Sequence, residues 1–206
     1  MQDRKTREPV SRDLPVLSFE SPQAFEAWLS AEPATSKGLW LKIAKRAELA
    51  KSEATGSISY AEAVEVALCH GWIDGQKAPL DTGFWLQRFT PRGKTSKWSK
   101  MNREKALALI AAQRMKPAGK AAIDAARRDG RWEAAYEGQS KASVPADLQA
   151  ELERNPKAAA FFASLDRHNR YAIVYRLHSA KKPETRLRRL AKFVDMLERQ
   201  EKIHPS

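Results

Sequence analysis

A chain of 206 residues is long enough to bury a core, and with 42% hydrophobic and 30% charged residues it is globular, neither disordered nor fibrous. Its 37 lysines and arginines against 25 aspartates and glutamates leave a formal net charge of +12, a field that draws polyanions and repels cations. The single cysteine, Cys69, excludes an intramolecular disulfide and a cysteine-based zinc site.

Residues 1–15 are polar and aperiodic and read as a flexible tail. They hold no apolar run of signal-peptide length, and nothing later approaches the ~18 apolar residues of a membrane span, so a cytoplasmic chain is expected. Val16, Leu17 and Phe19 suit a short strand. Ser21 is placed to cap a helix with Pro22 at its first position; Phe25, Trp28 and Leu29 follow at helical spacing until Pro33. From Gly38 to Ala44 the chain alternates, with Leu39, Leu41 and Ile43 on one face and Trp40 and Lys42 on the other. Lys45 to Gly56 is a polar connection.

Ser59 and Glu62 have the spacing of a capping box, in which each side chain takes an orphan amide of the first helical turn. Tyr60, Ala63, Val64, Ala67 and Leu68 then form an apolar stripe, closed by Gly71 where a left-handed residue is wanted. Trp72 and Ile73 read as a short strand turning at Asp74-Gly75; Phe84 to Phe89 alternates again, so the two runs pair as a hairpin or as neighbours in a sheet. Ser96 or Ser99 caps a long helix whose buried side is Ala106, Leu107, Leu109, Ile110 and Ala111. Pro117 and Gly119 interrupt it before a second helix carrying Ala122, Ile123 and Ala126. Gly130, Gly138, Ser140 and Ser143 mark a looser join. Beyond Pro145 the pattern is helical throughout, with caps at Asn155-Pro156 and Asp166 and a last helix opened by Pro183. The outward side of that helix carries Arg186, Arg188, Arg189 and Lys192. The fold class is α+β: after the tail at 1–15, a small β-sheet flanked by helices over 16–140, then an all-helical C-terminal module over 141–206.

The chemistry concentrates after the second aromatic strand. Arg88, Arg92, Lys94, Lys97, Lys100 and Arg103 are interleaved with Trp85, Phe89 and Trp98. Cations neutralise phosphate while aromatic faces stack on bases, so Asp74, Trp85, Arg88, Arg92, Lys94, Ser96, Lys97, Trp98 and Ser99 form a candidate ligand-binding surface. The spacing is not that of a P-loop. The plainer alternative has the rings packed inside and the cations solvated. Asp74 with Arg88 and Arg92 could instead serve an enzyme acting on a small anionic substrate, and exposed aromatics could dock another protein. Cys69 and His70 point about 100° apart on a helix and cannot easily hydrogen-bond as nucleophile and base; Cys69 suits a buried thiol, and His70 a cation at the helix C-terminus. His168 and His178 lack a carboxylate at ligand spacing, so no metal and no cofactor is expected.

Several blocks resemble a known family. Ala-Leu-Cys-His-Gly-Trp-Ile-Asp-Gly at 67–75, Arg-Phe-Thr-Pro-Arg at 88–92, Ser-Lys-Trp-Ser-Lys at 96–100 and Asn102 are similar to signature blocks of the bacterial YdeI/OmpD-associated (bacteriocin-protection) family. Val-Pro-Ala-Asp-Leu at 144–148, Asn155-Pro156 through Phe161-Phe162, and Ala-Lys-Lys-Pro-Glu-Thr-Arg at 180–186 resemble its C-terminal module, and the likeness spans about residues 17–200. The resemblance implies a role in tolerance of cationic antimicrobial peptides and bacteriocins alongside an outer-membrane porin, often with a periplasmic address. It carries over no catalytic residues, and a +12 chain repels cationic peptides. The expected function is a non-catalytic stress or bacteriocin-tolerance protein whose basic aromatic surface binds a phosphate-bearing small molecule or nucleic acid, with a protein partner as the further option.

Overall fold

The computed structural model describes residues 14–31, 35–49, 56–138 and 142–204. The expected tail, the stop at Pro33 and the join residue Ser140 fall wholly or mainly outside them. The chain forms two compact units: one takes in residues up to Lys97 together with Asn102–Glu133, the other Trp98–Met101 with Ala134 onward.

The first unit is built on a four-stranded mixed sheet. Strands β1 (Val16–Leu17), β2 (Leu39–Ala44), β3 (Trp72–Pro79) and β4 (Phe84–Pro91) lie in the order β1-β2-β4-β3, with β1 parallel to β2 and the other pairs antiparallel. Between them run α1 (Pro22–Ala31), the single turn α2 (Arg46–Leu49) and α3 (Tyr60–Cys69). The Ser21 hydroxyl accepts from the Ala24 amide at the start of α1. The capping box of α3 forms as its spacing requires: the Glu62 amide donates to Ser59 Oγ, and the Glu62 carboxylate accepts from the Ser59 amide at 2.9 Å.

Helices α1 and α3 cover one face of the sheet. Phe25 meets the buried Phe89 edge-on at 5.8 Å, and Trp28 meets Trp72 at 5.8 Å. On the opposite face Trp40, Leu86, Ala78 and Leu14 form a second apolar cluster with Leu80 against it. Both faces of β2 are therefore buried at every residue except Lys42. The strand alternates, but the alternation does not separate core from solvent.

Three local readings change. Asp74-Gly75 is not a turn: β3 continues to Pro79, and a register shift between Asp74 and Lys77 absorbs the irregularity as a bulge. Buried Gln87 holds that bulge, its Nε2 donating to the carbonyls of Gly75 and Gln76 at 2.9 and 3.2 Å. In α4 (Lys100–Ala111) only Ala106 and Leu109 are buried, whereas Leu107, Ile110 and Ala111 are exposed. Finally, Pro117 and Gly119 do not precede α5 (Pro117–Arg128) but belong to it, with Pro117 in the first turn where its missing N–H costs nothing.

The second unit contains α6 (Ala146–Arg154), α7 (Pro156–Ser164), α8 (Arg167–His178) and α9 (Pro183–Glu198), with Leu148, Phe162, Ile173, Leu177, Leu190 and Leu197 in its core. Asn155 caps α7 by accepting from the Ala158 amide, and Asp166 caps α8 by accepting from Asn169. The fold is α+β with a helical C-terminal region.

Two glycines let α5 approach the end of α3. Gly71 takes φ +74° after the helix, and a Cβ on Gly119 would lie 2.3 Å from the Cys69 carbonyl and 2.4 Å from Met115 Sδ. Gly119→Ala is expected to cost about 1–3 kcal/mol by overpacking, read as a lowered urea midpoint. Gly138→Ala, where nothing lies within 4 Å, should leave the midpoint unchanged; equal effects would contradict this packing.

Candidate functional site

The pleat of β4 divides the predicted surface. Trp85, Gln87 and Phe89 point to the face covered by α1 and α3, and Phe84, Leu86 and Arg88 to the other. Register extends the division. Asp74 pairs with Phe89 and joins the helix-covered face, whereas Trp40 pairs with Arg88 and joins the opposite one. Asp74 and Arg88 thus stand on opposite faces, and the constellation of Asp74, Arg88 and Arg92 expected for an enzyme is not assembled.

On the helix side the Tyr60 hydroxyl donates to Asp74 Oδ2 at 2.7 Å, and its ring lies 5.7 Å from that of Trp85. The Lys77 ammonium sits 4.1 Å from the Trp85 ring centroid. Trp85 is therefore flanked by its own cation and by a tyrosine that holds a carboxylate. Asp74, Arg92 and Asn102, with Trp72, Phe89 and Val64, line a crevice packed too tightly for a water molecule.

The segment after β4 is a closed turn. The Arg92 amide donates to the Gly71 carbonyl at 2.9 Å and its NH1 to the Lys97 carbonyl at 3.2 Å. Gly93 N donates to Ser96 Oγ, and Ser96 N returns a bond to the Gly93 carbonyl at 3.1 Å. Arg131 fastens the turn from outside, with NH1 on the Ser96 carbonyl at 2.8 Å and Nε on Asp129 at 2.8 Å. Arg131 also holds the Asp129 carboxyl below its usual range. Arg92 holds the loop through NH1, Ser96 closes the turn instead of capping a helix, and Lys94 and Lys97 stand exposed on it.

Trp98 and Ser99 are buried and belong to the second unit. The Tyr136 amide donates to the Trp98 carbonyl at 3.0 Å, and the Lys100 amide to the Tyr136 carbonyl at 2.9 Å, in a short parallel bridge at Ser99. The Trp98 indole is thus withdrawn from any stacking surface. The first amide of α4, which a free helix start would offer to an anion, already has a protein acceptor. Arg127, Arg128 and Arg131 lie outside the surface expected from sequence, although Arg-Arg-Asp-Gly-Arg at 127–131 is a basic run as dense as 92–97. Among the described residues no group of histidine, cysteine and carboxylate side chains is arranged to hold a metal ion.

Cys69 is buried, and burial pushes its thiol up. His70 departs from its expected role. It ends α3, but it is 9% exposed and its Nε2 is buried without a partner among the described residues. Burial holds its pKa below 6.5 and prevails over the attraction of Glu26, whose carboxylate is paired with Lys116 at 2.6 Å. The imidazole is therefore favoured neutral. Because the unfolded chain takes up this proton near pH 6.5 and the folded chain does so only at lower pH, stability should fall as pH drops through 6.5 toward the folded value. The Glu26 carboxyl, lowered first by its bond from Lys116, adds a loss only below about 4.5. Thermal midpoints from pH 7.5 to 5.5 should fall more in the native chain than in His70→Gln; parallel curves would contradict a buried neutral imidazole.

In the second unit, Arg186 forks onto Asp147 at 2.7 and 2.8 Å and donates to the Leu177 carbonyl at 2.8 Å. Arg189 donates to the Arg176 carbonyl at 2.6 Å. Both guanidiniums thus neutralise open carbonyls at the end of α8, leaving Arg188 and Lys192 on the outer surface. Tyr171, donating to the Glu137 carbonyl at 2.9 Å, is pushed up to about 12 by burial beside Tyr136 and Tyr175. No helix among the described residues is long and apolar enough to cross a membrane.

Comparison with known proteins gives two matches. Residues 141–200 match the family described as Bacteriocin-protection, YdeI or OmpD-Associated, which accounts for the resemblance of the tail. The blocks at 67–75 and 88–102 fall instead within residues 17–122, which match a family described as a domain of unknown function, DUF8412. No curated protein and no solved structure matches the chain. With more than half of its length inside the match at residues 17–122, the chain belongs to the DUF8412 family, and its C-terminal residues 141–200 are similar to the bacteriocin-protection, YdeI or OmpD-associated family.

Proposed function

We propose that the chain is a non-catalytic protein of bacteriocin protection or stress tolerance that holds a phosphate-bearing partner by charge, without aromatic stacking. The observation that carries this reading is the bond from Arg131 to the Ser96 carbonyl. It ties the turn bearing Lys94 and Lys97 to the basic end of α5, where Arg127 and Arg128 are also exposed. Arg92 and Arg131 hold this turn by its own carbonyls, so the lysines project from backbone that is already ordered. A rigid array loses less entropy on binding than a mobile one. The +12 charge adds long-range attraction for phosphate.

Binding of a short homopolymeric DNA or RNA strand, compared with pyrophosphate, tests this directly. Affinity should fall steeply with salt, and Lys94→Ala with Lys97→Ala should lower the slope of log K against log salt by roughly 0.7–0.9 per lysine. Binding of the strand but not pyrophosphate assigns a nucleic acid, and saturable binding of pyrophosphate a small phosphate ligand. Affinity indifferent to salt and to both substitutions would overturn the reading.

A further inference from the structure

The face of the sheet turned away from α1 and α3 carries a separate feature. Trp40 of β2 lies directly across from Arg88 of β4, and each holds a buried N–H with no acceptor among the described residues: Trp40 Nε1 and Arg88 Nε. Trp40 is 1% exposed, while Arg88 is only half-buried, so the pair spans the boundary between interior and solvent. Native interiors seldom keep a buried donor unmatched, and here two belong to one cross-strand pair.

Among the described residues neither donor has an acceptor. Trp40 packs in an apolar cluster with Leu14, Leu86 and Ala78, none of which has a side-chain acceptor. Lys42 points to the same face as a second cation, its ammonium 3.9 Å from the Phe84 ring centroid. The carbonyls of Gly75 and Gln76 at the bulge are taken by Gln87. Gly75 presents no side chain toward Arg88; a Cβ there would touch the Arg88 stem at 3.8 and 3.9 Å. A neutral indole donor next to a guanidinium fork, with a further cation nearby and no carboxylate bonded to either among the described residues, calls for a negatively charged group with more than one acceptor oxygen.

We propose that Trp40 and Arg88 form a binding site for a single oxyanion group, the carboxylate or phosphate terminus of a small ligand. This site stands apart from the basic turn at Lys94 and Lys97 and does not depend on it.

The test follows the indole N–H resonances of the ¹⁵N-labelled full chain during titration with sodium phosphate or sodium acetate, chloride holding the ionic strength constant. The Trp40 signal is identified by its loss in Trp40→Phe. It should move downfield and saturate while the other indoles stay in place. Arg88→Gln should abolish the response, and Arg88→Lys should weaken it about tenfold through loss of the fork geometry. A response to phosphate alone or to acetate alone supports the site and assigns the group. Should Trp40→Phe fail to fold, the Gln and Lys variants at the half-exposed Arg88, each checked by circular dichroism, carry the test. An unmoved Trp40 signal, a response unchanged in Arg88→Gln, or a shift shared by all indoles would overturn the proposal. The Lys94 and Lys97 variants should retain the Trp40 response, so failure here leaves the charge-based reading of the turn untouched, and the reverse also holds.

Discussion

The pairing of β4 with β2 on one side and β3 on the other decides what this protein can bind. A strand sends neighbouring side chains to opposite faces, so residues close in sequence are parted by the thickness of the sheet. Phe89 is drawn to Phe25 of α1, and Leu86 to Trp40 and Ala78 on the other face. Once these two apolar contacts are satisfied, Trp85 and Arg88 have no freedom left. A slip of one residue would exchange every side chain between the faces, taking Phe89 from Phe25 and Leu86 from Trp40. Because both faces are buried at β2, that slip is strongly opposed.

A second theme is how the charge is used. The formal +12 suggests a uniform basic coat, yet many guanidiniums are committed to backbone carbonyls: Arg92 to Lys97, Arg103 to Trp132, Arg131 to Ser96, Arg186 to Leu177 and Arg189 to Arg176. Each satisfies an acceptor that a loop or helix end leaves open, for which arginine's several donors suit it. The lysines are the more exposed cations of the basic turn. Arginine here serves mainly to hold the chain, and lysine to present charge.

What was legible in the sequence is what local chemistry controls. Ser59 and Glu62, Gly71, Asn155 with Pro156 and Asp166 name their helix ends because cap geometry involves residues three or four positions apart. The alternating stretches at Leu39 and Phe84 name their strands for a similar reason. The readings that changed depend on distant partners. Asp74-Gly75 resembles a turn, but Gln87 on the neighbouring strand keeps it in the sheet. Leu107 and Ile110 resemble core, but the run from Ala106 to Ala112 is apolar on too many sides for its period to identify the buried one. Trp98, flanked by lysine and serine, reads as exposed; its burial accompanies a bridge to Tyr136 that no local pattern announces. The candidate surface was therefore legible as a list of chemical groups and not as a place.

The assignment of side chains to faces can be tested by nuclear Overhauser contacts between ring and methyl protons in the full chain. The account predicts cross-peaks linking Trp40 with Leu86 and Trp85 with Tyr60, and none between the Trp40 and Trp85 rings. A Trp40–Trp85 cross-peak, with the Trp40–Leu86 contact missing, would mean that β4 pairs one residue out of register, and the division of the site between two faces would be wrong.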